Sequence, residues 1–141
     1  MKRNELERGS EKAYILAGRA ILTVKSERSG NHFTYKVKAA NDTKNAYFVS
    51  VKNSSDGFLY MGMLKSFMGN WDFILTPKSK VGKDASSFKV FKYIVDRYIN
   101  AYYPHNEMTL LHSGKCAKCG RELTEPDSLR IGLGPVCRQL K

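Results

Sequence analysis

The stretch HFTYKVK, residues 32–38, alternates apolar and polar side chains without interruption. Successive side chains of a β-strand point to opposite faces of a sheet, so this pattern predicts a strand with Thr34, Lys36 and Lys38 on its polar face. Residues 20–26 just before it are rich in β-branched and apolar side chains, and turn-forming residues separate the two stretches. The pair therefore predicts a β-hairpin.

Three later stretches have the composition of strands. They are short, apolar or aromatic, and separated by polar turns that contain Gly, Asn or Asp. Strands joined by short polar connections favour an antiparallel meander. The predicted strands cover residues 47–52, 58–64 and 71–76.

Apolar residues recur at helical spacing after the last predicted strand. Ser86 or Ser87 is expected to cap a helix that runs to about Tyr102, and Pro104 is expected to end it. The helix is expected to pack across one face of the sheet, which would otherwise lie bare.

The fold class is therefore predicted to be α+β, with a meander of about five antiparallel strands packed against one helix. After it, Cys116 and Cys119, separated by two residues, and the later Cys137 predict a small treble-clef-like zinc finger. The predicted division of the chain is a charged N-terminal tail (residues 1–13), a basic β-rich domain (residues 14–104) and a zinc-binding module (residues 105–141).

The chain of 141 residues carries a formal net charge of +11. Residues 20–92 hold twelve Lys or Arg and only five Asp or Glu, so the excess belongs mainly to the predicted β-rich domain. Such an excess attracts polyanions, of which nucleic acid is the commonest. No apolar stretch approaches the roughly 20 residues that span a bilayer, and the N-terminus lacks the apolar centre of a signal peptide. We expect a cytoplasmic protein without a membrane partner.

All three cysteines lie in the last 26 residues. Cys116 and Cys119 are separated by two residues and followed by Gly120, a spacing that lets both thiolates reach one ion across a tight turn. Cys137 offers a third thiolate. A disulfide with one spare thiol and a redox-active pair are the alternatives, but a redox pair belongs near the start of a βαβ unit rather than here. The pattern favours Zn²⁺ in a structural site.

The fourth ligand of a tetrahedral site is expected to be His112, which lies shortly before Cys116. His105, the carboxylates Glu122 and Asp127, and an unfilled position remain alternatives. Pro135 is expected to open a short terminal helix that would carry Cys137. A knuckle, a loop or hairpin, and a helix-borne ligand follow one another in this order in a treble-clef finger.

Residues 116–137 combine the motifs CxxCGR and GxGPxC with a Leu-Thr pair between them. This pattern resembles a small zinc-binding domain of unknown function that recurs in proteins of bacteriophages, plasmids and other mobile elements. The resemblance implies metal binding and a mobile-element origin, and it implies no particular reaction. It also leaves the fourth ligand open.

No familiar catalytic motif accompanies the cysteines, and Asp and Glu are too sparse for a two-metal nuclease. We therefore expect a protein that is not an enzyme, with a zinc-dependent hydrolase or nuclease as a minor alternative. Tyr35, Tyr47, Phe48, Tyr60 and Trp71 are candidate groups for stacking on single-stranded bases, although alternate strand positions normally fill a core.

The expected function is that of a phage or mobile-element accessory protein that binds DNA or RNA through a basic β-rich face. The rival is a protein-binding inhibitor or modulator of a host defence or transcription complex. The candidate nucleic-acid contacts are Lys25, Lys36, Lys38, Lys52, Lys78, Lys80, Lys83, Arg121 and Arg130.

Overall fold

In the part of the chain that the structure describes, six antiparallel strands form one sheet in the spatial order β5-β4-β3-β2-β1-β6. The computed structural model describes residues 4–26, 30–41, 43–53, 57–100, 108–134 and 137. The first five strands are a meander, as predicted, and a sixth joins its β1 edge. The strands are β1 (Arg19–Ser26), β2 (His32–Ala39), β3 (Ala46–Lys52), β4 (Phe58–Phe67), β5 (Asn70–Ile74) and β6 (Met108–His112).

Helices cover one face of this sheet, in agreement with the predicted α+β class. The described part of the chain contains α1 (Glu11–Ile15), α2 (Ser86–Ile94), which continues as a π-helical segment (Val95–Asn100), and α3 (Pro126–Ile131). None of these helices is both long and apolar enough to cross a membrane.

The predicted cap of the long helix is wrong. Ala85 occupies the position before α2 in an extended conformation, and no side chain caps the helix there. Ser87 is instead buried, and its carbonyl accepts a hydrogen bond from the sheet. The predicted helix end at Tyr102 and Pro104 lies outside the described residues.

The core lies between the sheet and the helical layer. Tyr35 of β2 is fully buried, its ring lies 4.9 Å from that of Phe91, and its hydroxyl donates to the Ser87 carbonyl at 2.7 Å. Burial raises the pKa of this phenol, so it stays neutral and acts as a donor. Phe73 of β5 packs against Phe88 and Phe91. Aromatic contacts therefore join α2 to both the centre and the edge of the sheet.

The segment that leads into the cysteines is joined to the main sheet. Strand β6 pairs with β1 in continuous register, with Leu22 opposite His112 and Val24 opposite Leu110. The C-terminal part of the chain therefore starts as a strand of the main sheet. The predicted boundary between residues 104 and 105 lies outside the described residues.

The described part of the predicted N-terminal tail is also packed against the protein. Leu6 is buried, and its N–H donates to the Leu110 carbonyl at 2.9 Å. Glu5 forms an isolated antiparallel bridge with Leu111. The outer edge of β6 would otherwise present unpaired backbone groups, and this segment satisfies part of them.

The β5 edge is covered by a side chain. The Trp71 N–H donates to Asn100 Oδ1 at 2.6 Å, and Asn100 Nδ2 donates to the Trp71 carbonyl at 2.7 Å. The Asn100 amide thus pairs with the strand as another strand residue would, which protects this edge from pairing with a second chain.

Gly132 joins α3 to α1. It ends α3 in the left-handed conformation at φ 74°, and a Cβ at this position would lie 2.3 Å from the Tyr14 ring. Tyr14 is itself buried, and its hydroxyl donates to the Ile21 carbonyl at 2.7 Å. Only glycine combines this backbone conformation with this approach.

We expect Gly132→Ala to lower the free energy of unfolding by at least about 2 kcal/mol, because it adds left-handed strain to an overlap with a buried ring. Gly82→Ala is the control, since a Cβ there meets no atom within 4 Å, and it should change stability by less than about 0.5 kcal/mol. Denaturant unfolding of both variants measures the difference. Equal stability of the two variants would contradict the packing of α1 on α3.

Candidate metal centre

The three cysteines converge. The sulfur atoms of Cys116, Cys119 and Cys137 all lie within 4.8 Å of one another. Cys116 is buried, Cys137 is half-buried and Cys119 is exposed. Three soft thiolate donors at this separation form a set that can hold a metal ion, and the sequence prediction for these three residues agrees with the geometry.

A tight turn sets the positions of the first two sulfurs. The Gly120 N–H donates to the Cys116 carbonyl at 2.9 Å, and the Cys116 N–H donates to the Arg121 carbonyl at 2.7 Å. Gly120 has a φ of 83°, which a residue with a side chain rarely adopts. Lys115 and Glu122 form a β-bridge at the base of the turn. We call residues 115–122 the knuckle.

Backbone hydrogen bonds fix the knuckle to the rest of the protein. The Arg19 N–H at the start of β1 donates to the Ala117 carbonyl at 2.6 Å, and the Ala117 N–H donates to the Gly132 carbonyl at 3.0 Å. Ala117 is buried in the main core. The knuckle is therefore held between the sheet and the end of α3 rather than hanging from a linker.

The surroundings of Cys116 favour a thiolate. Burial alone would raise the pKa of this thiol, but backbone N–H groups of Gly134, Cys119 and Lys118 point at the sulfur and bring the pKa down to about 7. Desolvation, followed by hydrogen bonds with the other two cysteines, raises the pKa of Cys137 to about 11. Three adjacent sulfurs cannot all ionise unless a cation offsets their charges, which is the condition that a bound metal meets.

His112 is not part of this cluster, and its prediction as the fourth ligand is corrected here. Its Nδ1 accepts a hydrogen bond from the Gly114 N–H at 2.9 Å, so the proton lies on Nε2, which donates to the Leu129 carbonyl at 2.7 Å. Both ring nitrogens are therefore engaged with backbone groups. The side chain is buried on the core face, and burial lowers the pKa of the ring, which keeps it neutral.

The alternative ligands occupy different places. A cavity of about 540 Å³ borders Cys119 and Cys137, and Glu122 lines it. Asp127 is paired with Arg130 instead. His105, Pro135 and the expected terminal helix lie outside the described residues.

The side of the sheet that faces away from the helices carries basic and aromatic side chains. Residues directly opposite each other in antiparallel strands share a face. Lys38 lies opposite Arg19 on one side and Phe48 on the other. Its neighbour Val37 points the other way, into the core. We call this surface the open face, and the residues that define it are Arg19, Lys36, Lys38, Phe48, Phe58 and Tyr60.

The aromatic groups of the open face lie beside its lysines. The Lys36 ammonium group lies 4.9 Å from the centre of the Phe58 ring, and the Phe48 and Tyr60 rings are 6.2 Å apart. Phe48 is 42% exposed, so part of its ring is available to a ligand. Cross-strand placement therefore interleaves cations and rings.

Sequence reasoning assigned several of these groups incorrectly. Tyr35 is buried, and the rings of Tyr47 and Trp71 pack together at 5.7 Å as half-buried residues. Phe48 and Tyr60 are the predicted stacking groups that reach the open face. Arg19 and Phe58 were missed, although both continue the alternation of the strands beside them.

The predicted basic contacts divide into those on the open face and those away from it. Lys36 and Lys38 are on it, whereas Arg130 forms ion pairs with Glu7 at 2.7 Å and Asp127 at 2.6 Å. Its charge is thus already compensated. Lys25 and Lys52 also lie on this side of the sheet, opposite His32 and Phe58, near the ends of their strands that are farther from Arg19 and Lys38. Lys78, Lys80 and Lys83 lie in the loop after β5, and Arg121 lines the cavity beside the cysteines.

Residues 109–140 match a family of unknown function, DUF6011. The match covers β6, the knuckle, α3 and Cys137, the same segment whose motifs suggested a small zinc-binding domain. Searches of curated proteins and of solved structures found no match.

We expect Cys116→Ser, Cys119→Ser and Cys137→Ser each to lower the bound metal well below the value of the wild-type protein, because each removes one thiolate donor. Metal content of the purified, reduced proteins, measured by mass spectrometry, tests this. A wild-type protein without stoichiometric metal would contradict the interpretation of the cluster as a metal site.

His112→Ala is the matched comparison. It should leave metal content unchanged but lower the free energy of unfolding by about 2–4 kcal/mol, because two backbone groups lose their partners. His112→Gln keeps one N–H donor, so its free energy of unfolding should fall less than that of His112→Ala. Metal lost from a folded His112→Ala protein would restore His112 as a ligand.

Proposed function

We propose that this protein binds single-stranded nucleic acid on the open face and that a zinc ion held by the three cysteines stabilises the adjoining knuckle. The observation that carries the proposal is the alternation of cations with aromatic rings across neighbouring strands. A positive groove that follows the phosphate backbone, with rings on which bases stack, is the usual arrangement of single-strand binding.

Zinc is the metal we propose because three thiolates in a compact turn suit its preference for sulfur and tetrahedral geometry. The order of knuckle, intervening segment and Cys137 is that of a treble-clef finger. With three protein thiolates on the metal, the ion serves the fold, and the proposal assigns it no reaction.

The placement of charge favours the open face over the helical layer as the binding surface. Arg19, Lys36 and Lys38 lie within one patch of two adjacent strands. In the described part of the chain, none of these three side chains forms an ion pair with a carboxylate. Uncompensated cations on neighbouring strands create a local positive potential that a polyanion relieves.

A second candidate function is protein binding, as expected of an inhibitor or modulator of a host complex. The turn between β4 and β5 favours it, because Phe67 is 78% exposed and Met68 is 92% exposed. Under this alternative the turn, not the open face, contacts the partner. Location in the host cytoplasm and a phage or mobile-element origin stay predictions.

We expect Lys36→Ala/Lys38→Ala to weaken binding of a labelled single-stranded oligonucleotide and to reduce the slope of log K against log salt by about 1.4, about 0.7 for each lost phosphate contact. Lys12→Ala/Lys89→Ala removes the same charge from exposed positions on the helices and should change the slope less. Fluorescence anisotropy across a salt series, with DNA, RNA and duplex probes, measures both. Wild-type protein that does not bind at low salt would remove the proposal.

We expect Phe48→Ala to weaken single-strand binding at least about five-fold, because stacking contributes about 1–3 kcal/mol for each base. Duplex binding should change less, because paired bases are not available to stack. Phe67→Ala is the control, since it removes an exposed ring of the same type at the β4–β5 turn, four residues along β4 from Met63, the direct partner of Phe48. Loss of binding in Phe67→Ala but not in Phe48→Ala would transfer the function to the β4–β5 turn.

A further inference from the structure

A second cavity lies where the open face meets the knuckle. It has a volume of about 370 Å³, and four cationic side chains line it: Arg19, Lys36, Lys38 and Lys115. Among the described residues that line it there is no Asp or Glu. The cavity by the cysteines differs in that it contains two carboxylates.

Two separate parts of the chain bring these cations together. Arg19 and Lys38 are direct cross-strand neighbours, and Lys36 follows on the same face of β2. Lys115 comes from the knuckle, which the hydrogen bond from the Arg19 N–H to Ala117 holds against β1. One terminal nitrogen of Arg19, Nη1, lies 3.9 Å from where a Cβ of Gly120 would be. The cavity is therefore a product of the docking of the knuckle on the sheet.

The charges in the cavity are not neutralised by the described part of the protein. Lys36 contacts the Phe58 ring, and none of the four forms an ion pair with a carboxylate there. Like charges in one concave site repel each other and raise the local concentration of anions. A guanidinium with nearby ammonium groups can bind a phosphate, because the phosphate oxygens accept charge-assisted hydrogen bonds from both kinds of group.

We infer that this cavity binds a backbone phosphate of a nucleic-acid strand that lies on the open face. The inference rests on the proposed function and adds to it the position of one phosphate and a contact from the knuckle, Lys115. Neighbouring strands are about 4.8 Å apart, so Lys38 lies about one strand spacing from Phe48 and Arg19 about two. A base stacked on Phe48 places its own phosphate within reach of this cavity, and the strand then continues towards the knuckle.

This path of the nucleic-acid strand also predicts that the knuckle contacts the ligand through Lys115 rather than through its other lysine, Lys118. Lys118 is exposed on the same knuckle, and it does not line the cavity. The two side chains have the same charge and belong to the same turn. Substituting each of them in turn therefore distinguishes a specific phosphate site from a general electrostatic attraction.

The test compares Arg19→Gln, Lys115→Gln and Lys118→Gln in the metal-loaded full chain. Lys115→Gln should weaken binding of a labelled single-stranded oligonucleotide about five-fold or more and lower the salt slope by about 0.7, the value of one phosphate contact. Lys118→Gln should change affinity less than two-fold. Arg19→Gln should weaken binding at least as much as Lys115→Gln. Arg19→Lys should restore only part of the lost affinity, because lysine keeps the positive charge but lacks the planar guanidinium that can bind a phosphate with two hydrogen bonds.

Thermal unfolding and metal content should be the same in Lys115→Gln, Lys118→Gln and the wild-type protein, so Lys115→Gln remains informative even if Arg19→Gln does not fold. Equal losses in Lys115→Gln and Lys118→Gln, with the wild type binding normally, would overturn the phosphate site and leave the proposed function standing. Absence of oligonucleotide binding by the wild-type protein at low salt would remove the proposed function and this inference together.

Discussion

The pairing of β6 with β1 is the constraint on which the rest of the structure depends. It makes the segment that leads into the cysteines a strand of the main sheet, with His112 opposite Leu22 and buried. The knuckle then begins three residues after that strand ends and returns to β1 through the Arg19–Ala117 hydrogen bond. A turn of this size has little apolar surface of its own, so the sheet supplies its position and a metal would supply its internal stability. The cysteine cluster and the open face are thus parts of one unit.

This arrangement gives His112 a structural role beside the candidate metal centre. The His112 ring connects the end of β6 to the turn at Gly114 and to the carbonyl of Leu129 near the end of α3. It holds together the two segments that carry Cys116 and Cys137, and it lies outside the cysteine cluster itself. Gly132 has a related role on the other side of α3, where its lack of a side chain lets Tyr14 approach. Hydrogen bonds and close packing around the cluster therefore position its ligands, as outer-shell groups do in metal sites generally.

Local patterns predicted the strands and the cysteine cluster because the information for both is short-range. The alternation around Tyr35 and the two-residue spacing of Cys116 and Cys119 each express geometry within a few residues. The errors arise from long-range contacts. Nothing near His112 in the sequence indicates that the Leu129 carbonyl accepts a hydrogen bond from its ring, and nothing near residue 108 indicates pairing with β1. The register shift between Val49 and Ser50 is another case, because it inserts one residue into β4 and so places Tyr60 on the open face.

The bridge between Glu5 and Leu111 joins residues more than one hundred positions apart. During synthesis on the ribosome, the early strands can form their hairpins as soon as they emerge. Leu6, Tyr14 and the free edge of β1 must wait until β6 and the knuckle have been translated. Until then, the nascent chain exposes an incomplete sheet. The segment from β6 through the knuckle therefore completes both the sheet and the packing of Leu6 and Tyr14.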